Sequence, residues 1–175
     1  MSDFQIELNP NEDDLRQMIV LDNRAYKKQE DRGILEKCLA WQRACPDLYT
    51  ALKHNGVVVG YINFLPVTKK FYESFRRGEL GDFDLEERDV LPFKKGVNYC
   101  IFVSIVIAEE FRNTKAIHLL MMAWRNRILC LQEKGARVKK ILADCVSKEG
   151  AKLAKSFNGK LVKETQERKI FEFAL

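Results

Sequence analysis

The residues with the most chemical potential gather at one junction. The run Glu109-Glu110-Phe111-Arg112-Asn113-Thr114 ends a strongly apolar segment and precedes a long helical stripe. A helix N-terminus presents unpaired backbone N–H groups and a partial positive charge, and both favour an anionic group such as a pyrophosphate. Arg112 and Lys115 flank this one and add formal charge. The two histidines offer less. His54 precedes a turn and reads as exposed. His118 falls in the first turn of the long helix, where a surface position competes with an approach to a phosphate. So far apart, they lack metal-site spacing, and no metal is expected. Five cysteines, Cys38, Cys45, Cys100, Cys130 and Cys145, are scattered without a CxxC pair. That pattern fits reduced thiols in a cytoplasmic protein, not a disulfide framework or a zinc site. Two charge clusters remain. Lys148, Lys152 and Lys155 share one helical face, which is either solvated or turned to an anionic ligand. Asp82, Asp84, Glu86, Glu87 and Asp89 form an acidic stretch with the complementary preference for a cation.

The elements that must position these residues fit within 175 residues, the size of one ordinary domain. Hydrophobic residues make up 46% and charged residues 31%, which excludes a mostly disordered chain. The longest uncharged stretch, Gly96 to Ala108, is too short for a membrane span, and no basic-then-apolar leader is visible at the N-terminus. The net charge of +5 is uneven: residues 1–33 carry eight acidic and five basic groups, and residues 134–175 carry eleven basic and five acidic ones. A basic C-terminal part suits a nucleotide-like cofactor, a nucleic acid or an acidic protein, and composition does not choose among them.

Phe4, Ile6 and Leu8 alternate with polar residues and predict a first strand. Asp13 and Asp14 favour a helix start, and Leu15, Met18, Ile19, Asp22 and Tyr26 keep helical spacing. A second helix is expected from about Ile34 to Ala44. Residues 48–53 and 57–65 flank Asn55-Gly56, a dipeptide suited to a tight hairpin, with the second strand stopping at Pro66. Residues 67–95 form an insertion, either a surface excursion or a substrate-binding element, with a short helix around Phe71 and Phe75 ending at Gly78. Residues 99–108 are β-branched and aromatic enough for a strand buried on both faces. Ile117, Leu120, Met121, Trp124, Ile128 and Leu131 then mark a long helix closed by Gly135. A strand at 139–144, a helix capped by Ser147 and two final strands complete the chain. The strand–helix–strand unit from 99 to 144 should make a right-handed parallel crossover. The expected fold is a mixed α/β architecture, a mostly antiparallel central sheet flanked by helices on both faces.

This element order, together with Ile105-Val106-Ile107-Ala108-Glu109-Glu110-Phe111-Arg112, resembles the GCN5-related N-acetyltransferase superfamily over nearly the whole chain, taken as a single domain 1–175. In that family such a junction leads into a loop that cradles the pyrophosphate of acetyl-CoA. The resemblance therefore implies an acetyltransferase-like fold with acetyl-CoA as co-substrate, bound between the strands at 99–108 and 139–144. Ile105 and Ile107 would meet the pantetheine arm, and Arg112, Asn113, Thr114, Lys115, Ala116 and Ile117 the pyrophosphate. The amide of Ile107 would polarise the thioester carbonyl. Two departures stand out. The family loop reads Arg or Gln, two residues, Gly, one residue, then Gly or Ala. Here Lys115 replaces the central Gly and Ile117 the final small residue, where glycine permits close backbone approach. The tyrosine that many members carry on the helix after the next strand, to protonate the departing thiolate, is also missing: Ala154 or Lys155 occupies its place. Tyr99, Ser104, Glu109, Cys145 and Ser147 are the candidate polar groups for proton transfer, each with a structural alternative such as packing, capping or a solvated surface. The activity implied is direct acetyl transfer to a primary amine of a small molecule or peptide. The alternative is a catalytically silent acyl-CoA-binding or regulatory module. Nucleic-acid binding finds no motif or interleaved aromatics, no membrane partner is expected, and a homodimer stays open.

Overall fold

The computed structural model describes residues 4–26 and 33–174. Strand β1 (Phe4–Glu7) leads to helices α1 (Glu12–Tyr26) and α2 (Ile34–Ala44), then to the hairpin β2 (Tyr49–His54) and β3 (Val57–Val67). Helix α3 (Lys69–Arg76) and 3-10 turns at Asp82–Asp84 and Glu87–Asp89 precede β4 (Gly96–Ile107). A 3-10 turn at Glu109–Phe111 opens into α4 (Ala116–Glu133), followed by β5 (Ala136–Cys145), α5 (Lys148–Ser156), β6 (Lys160–Glu164) and β7 (Lys169–Phe173). The strands form one sheet in the order β1-β2-β3-β4-β5-β7-β6. Only β4 and β5 pair in parallel; every other neighbouring pair is antiparallel. The acetyltransferase-like sheet expected from the sequence is the one observed.

Local chemistry accounts for the elements. Asn55 and Gly56 take positive φ values of 51° and 80°, so the β2–β3 turn curls with the right-handed twist of its strands. Asn11 and Asp14 cap the first turn of α1 reciprocally, each side chain accepting the other's N–H, at 3.0 and 3.2 Å. Alternation along β1 is a poor guide to burial: Ile6 is 41% exposed, because β1 is the rim strand of the sheet. His54 is half-buried, not exposed, with its ring 5.1 Å from both Phe4 and Phe111.

Strand β3 also runs through Pro66 to Val67, where a stop was expected. Beyond Asn63, β2 no longer covers that edge. The carbonyl of Pro66 faces this edge and accepts Leu91 N–H at 3.0 Å, so its absent N–H leaves no ladder bond unmade. The same contacts fasten the insertion. Thr68 N–H reaches Asp89 O at 2.9 Å, and Tyr72, Phe75 and Leu85 are fully buried. Residues 67–95 are therefore packed onto the sheet and are not a loose surface excursion. Glu172 on β7 holds the insertion from below, accepting from Arg76 Nε at 2.8 Å and Tyr72 OH at 3.1 Å.

Arg127 on α4 is buried and crosses to the other end of the sheet. Its guanidinium donates to the carbonyls of Leu8 (2.9 Å) and Tyr49 and to Asp47 (3.0 Å). These acceptors belong to two segments that α4 would otherwise only touch, the residue after β1 and the stretch leading into β2. Replacing Arg127 with Met keeps the stem and strands buried acceptors, so the variant should lose roughly 2–3 kcal/mol. Urea denaturation reads this as a lower midpoint at unchanged slope. A midpoint within error of the parent would show that the staple contributes nothing.

Candidate functional site

The site arises where the parallel ladder stops. The last β4–β5 pair is Phe102 with Ala143, yet β4 continues to Ile107 and β5 to Cys145. Just past this point β4 carries a bulge: Asn63 faces Ser104 and Phe64 faces Phe102, leaving Val103 unmatched. Without it, the two-residue side-chain period would put Phe102 and Ser104 on one face. With it, Phe102 packs on Trp124 of α4 with ring centroids 5.0 Å apart, while Ser104 turns the other way and donates to Asp22 of α1 at 3.1 Å.

Between the diverging strands lies a cavity of about 640 Å³ that reaches both faces of the sheet. On the α4 side it is lined by Ile117, Met121 and Trp124, and by Leu153, Ala154 and Phe157 of α5. On the α1 side stand Ala25, Tyr26 and Ser104. Asp144 belongs to this second face: Leu142 pairs with Glu172, the acceptor of Tyr72, and Asp144 lies two residues on. The backbone of β4 supplies the edge. Ala108 N–H donates to Val59 on β3 at 2.8 Å, so by alternation the N–H and C=O of Ile107 and of Ile105 point away from β3 into the gap. Arg112 Nε, 3.5 Å from Ile107 O, confirms that direction.

The junction after β4 sits at one end of this gap. Phe111 N–H, Arg112 N–H and Thr114 N–H are occupied by carbonyls of the preceding turn, and Ala116 N–H by the Thr114 hydroxyl. The amides of Asn113, Lys115, Ile117 and His118 have no acceptor among the described residues. Lys115 adopts φ −69° and ψ −1°, ordinary right-handed backbone, so the missing glycine costs no strain here. Its ammonium lies over the Phe4 ring at 5.9 Å, away from the cavity. Ile117 does line the cavity.

The residues singled out from the sequence separate clearly. Ser104, Ile105, Ile107, Arg112, Asn113, Ile117, Cys145 and Ser147 converge on the cavity, whereas Thr114, Lys115 and Ala116 do not line it. Tyr99 is also remote: it packs on Tyr72 at the opposite end of β4, with ring centroids 5.1 Å apart, because five residues separate it from Ser104 along an extended strand. Glu109 is exposed in the 3-10 turn outside the lining. Lys148, Lys152 and Lys155 are exposed on α5, on the face opposite to the lining residues Gly150, Leu153 and Ala154. Ser147 Oγ accepts Gly150 N–H at 3.0 Å and caps α5. Burial, reinforced by Asp144, pushes the Cys145 thiol up to about 11, so it is protonated and unreactive near neutrality. His118 is exposed, and no group of three or more metal-ligating side chains forms among the described residues.

Four lining or neighbouring residues had not been singled out for chemistry. Tyr26 is the sole tyrosine lining the cavity among the described residues. Burial, Asp22 and Asp82 push its phenol up to about 12. Asp22 also accepts the Tyr61 hydroxyl at 2.6 Å. Asp144 is held by Arg168 at 2.7 Å, and burial raises its carboxyl despite that partner. Asp22 and Tyr26 showed only as helical spacing. Nothing local marks Asp144 and Arg168 as a pair, since 24 residues separate them.

No family model matches the chain, and no curated protein sequence matches it. Solved structures do. An acetyltransferase from Streptococcus agalactiae 2603 superposes with a TM-score of 0.65 at 11% identity, covering 98% of each chain. An acetyltransferase of the GNAT family from Staphylococcus aureus Mu50 gives 0.62 at 11% identity, covering 98% of this chain and 99% of that one. Arabidopsis thaliana Naa50, in complex with the bisubstrate analogue CoA-Ac-MVNAL, gives 0.61 at 12% identity over 98% and 99%. At these identities the likeness establishes the fold: this chain has the fold of the GCN5-related N-acetyltransferases. No helix among the described residues is long and apolar enough to cross a membrane.

The thiols provide a direct check on the geometry. In residue-resolved iodoacetamide labelling near pH 8, exposed Cys130 should react first, while buried Cys45 and Cys100 remain unlabelled in the native state. Cys145 should lag Cys130 and accelerate as pH rises toward about 11. Labelling of Cys145 as fast as Cys130 at pH 8 would contradict a half-buried, protonated thiol on the cavity wall.

Proposed function

We propose that this protein is an N-acetyltransferase that moves an acetyl group from acetyl-CoA to a primary amine by direct attack. The observation that carries the reading is the β4–β5 gap, where the peptide groups of Ile105 and Ile107 face a deep cavity with no strand to pair them. A pantetheine arm is an extended amide chain, and it fits such an edge as a short pseudo-strand would. Arg112 and the unpaired amides of Asn113, Lys115, Ile117 and His118 lie at one end of the gap, where a pyrophosphate is stabilised by N–H groups and positive charge. Naa50 carries its CoA analogue on the same fold.

The chain's own groups account for the reaction. The amine nitrogen attacks the thioester carbonyl carbon, the C–N bond forms, the C–S bond breaks, and the acetylated amine loses a proton while the CoA sulfur gains one. The N–H of Ile107, fixed by the neighbouring Ala108–Val59 bond, stabilises the negative oxygen as it develops. Tyr26 supplies the proton that no residue of α5 can. Its phenol, pushed up to about 12, is protonated at neutral pH and so holds a proton to give, although the same shift makes it a weaker acid than a free phenol. Ala154 is buried at the position where the family's tyrosine is missing. This favours one alternative, a silent acyl-CoA-binding module.

Three measurements separate these readings. Saturating acetyl-CoA should stabilise the native state by about 2.7 kcal/mol at a hundredfold excess over its Kd, seen as a rise in Tm. Arg112→Ala should weaken that binding roughly tenfold, the loss of one charge-assisted contact. With an amine that supports CoA release, Tyr26→Phe should lower kcat roughly a hundredfold and leave the KM for acetyl-CoA nearly unchanged. A thermal shift without CoA release from any amine would establish the silent module instead. No thermal shift would dismiss both.

A further inference from the structure

The end of the sheet opposite the cavity carries cations that the chain does not pair. β4 and β5 run in parallel, so their N-terminal ends lie together, with Gly96 beside Ala136 and Val97 beside Arg137. The loops that enter these strands bring lysines to the same place. Lys95 packs its stem over Gly135, with Cγ 3.4 Å from where a β-carbon would stand, next to Lys134. β3 ends here too, where Val67 pairs with Tyr99, and Lys69 and Lys70 open α3 just beyond it. A shallow recess of about 130 Å³ joins the pieces: Lys69 and Lys94 line it together with Val97 and Tyr99.

Lys69, Lys70, Lys94, Lys95, Lys134 and Arg137 are all exposed. None forms an ion pair among the described residues. The carboxylates at this end are few. Glu172 is committed to Arg76, Tyr72 and Lys140. Asp89 accepts the Glu86 N–H in its own 3-10 turn. Glu73 lies one turn along α3, and Glu133 precedes Lys134. The six cations come from three segments far apart in the chain, each too short to read as a basic run, so no motif marks them in the sequence.

The character of the patch selects its partner. None of the exposed large apolar residues, Phe83, Val146 and Val57 foremost, belongs to it. A protein interface is anchored by apolar and aromatic groups and is poor in lysine. A membrane surface holds a basic patch stably only with a second, apolar signal. A phosphate backbone needs charge alone. The aromatic rings here are already engaged, Tyr99 with Tyr72 at 5.1 Å and Phe93 with Phe64 at 6.1 Å, so none is free to stack an unpaired base. Nor does an element project far enough to read a DNA major groove: α3 lies flat on the sheet through buried Phe71, Tyr72 and Phe75. An A-form duplex is recognised by its shape and phosphates, without such an element. We infer that this end of the sheet is a docking surface for double-stranded RNA, gripped through its phosphates without regard to sequence. Val97 lies eight residues before Ile105 on the same strand, roughly 26 Å away, so RNA and the cavity's ligands do not compete.

The test is fluorescence anisotropy of the whole protein with a labelled RNA duplex of about 16 base pairs. Affinity should fall roughly a hundredfold between about 50 mM and about 200 mM salt, as about four phosphate contacts require. Lys94→Gln combined with Lys95→Gln should weaken binding and reduce the log–log salt slope by about two. Lys148→Gln combined with Lys152→Gln removes the same charge from the exposed face of α5 and should leave the slope unchanged. The slope does not depend on the folded fraction, so a partly unfolded variant still reports. No binding at the lower salt, or equal effects of the two double variants, would overturn the inference. So would equally tight binding of a DNA duplex of the same length, or stronger binding to phosphatidylserine vesicles than to RNA. The thermal shift with acetyl-CoA is measured separately, so the acetyl-transfer reading stands or falls on its own.

Discussion

Everything specific about this molecule follows from one interruption: the parallel ladder between β4 and β5 ends at Phe102 and Ala143 while both strands continue. Backbone donors and acceptors in a sheet interior normally pair, and leaving them open is expensive. The chain tolerates the gap because both walls are secured from outside it. β4 remains on β3 through Gly60 and Ile107, and β5 passes its last residues to β7, where Asp144 pairs with Ile170 and Cys145 with Lys169. The bulge at Val103 makes the interruption directional, sending Phe102 to the α4 face and Ser104 to the α1 face. A cavity open to both faces lets two molecules approach one point from opposite sides, the topological requirement for direct transfer without a covalent enzyme intermediate.

Rigidity around the gap is built from contacts distant in sequence. Phe111, in the turn before α4, closes on Phe4 and His54, which fixes the exit of β4 to the rim of the sheet. Arg127 ties α4 to the carbonyls of two segments, Leu8 after β1 and Pro46 and Tyr49 at the start of β2. Arg168 bridges Asp144 to the carbonyls of Gly78 and Leu80, so the β6–β7 turn, the insertion and the cavity wall share one guanidinium. A planar group with several fixed donors suits this bridging in a way an ammonium does not. The insertion is thus fastened to the strand that walls the cavity, while none of its own described residues lines it.

Features carried by short-range chemistry were legible in the sequence. The Asn55-Gly56 turn, the apolar run of β4, the stripe of α4 and the Ser147 cap each depend on a few adjacent residues, and each stands where it was expected. The backbone of the gap was legible through the family resemblance, at Ile105 and Ile107. What escaped depends on register and on pairs far apart in the chain. Period-two reasoning cannot place Ser104 correctly across an unseen bulge, and it gives no hint that Asp22 will meet it from a helix 82 residues away. Pro66 misled because proline is excluded only where its nitrogen must donate, and here it faces an edge that β2 has already left. The glycine-poor loop raised an objection about conformation that a φ of −69° at Lys115 removes.

The net charge of +5 conceals the arrangement that matters. The three lysines of α5 face solvent, whereas the charged groups lining the cavity among the described residues are few: Arg112 beside the open amides, and Asp144 and Glu149. In a low-dielectric cleft such small numbers outweigh a larger, screened surface charge. Their separation puts positive charge at the α4 end of the cavity and negative charge on β5 and α5. Tyr26 lines the same cavity. Burial, Asp22 and Asp82 raise its phenol, while Arg112 pulls in the opposite sense. A phenol is protonated at neutral pH with or without these carboxylates, and by raising it Asp22 and Asp82 make Tyr26 a weaker donor, so neutralising either would favour release of its proton, not impair it.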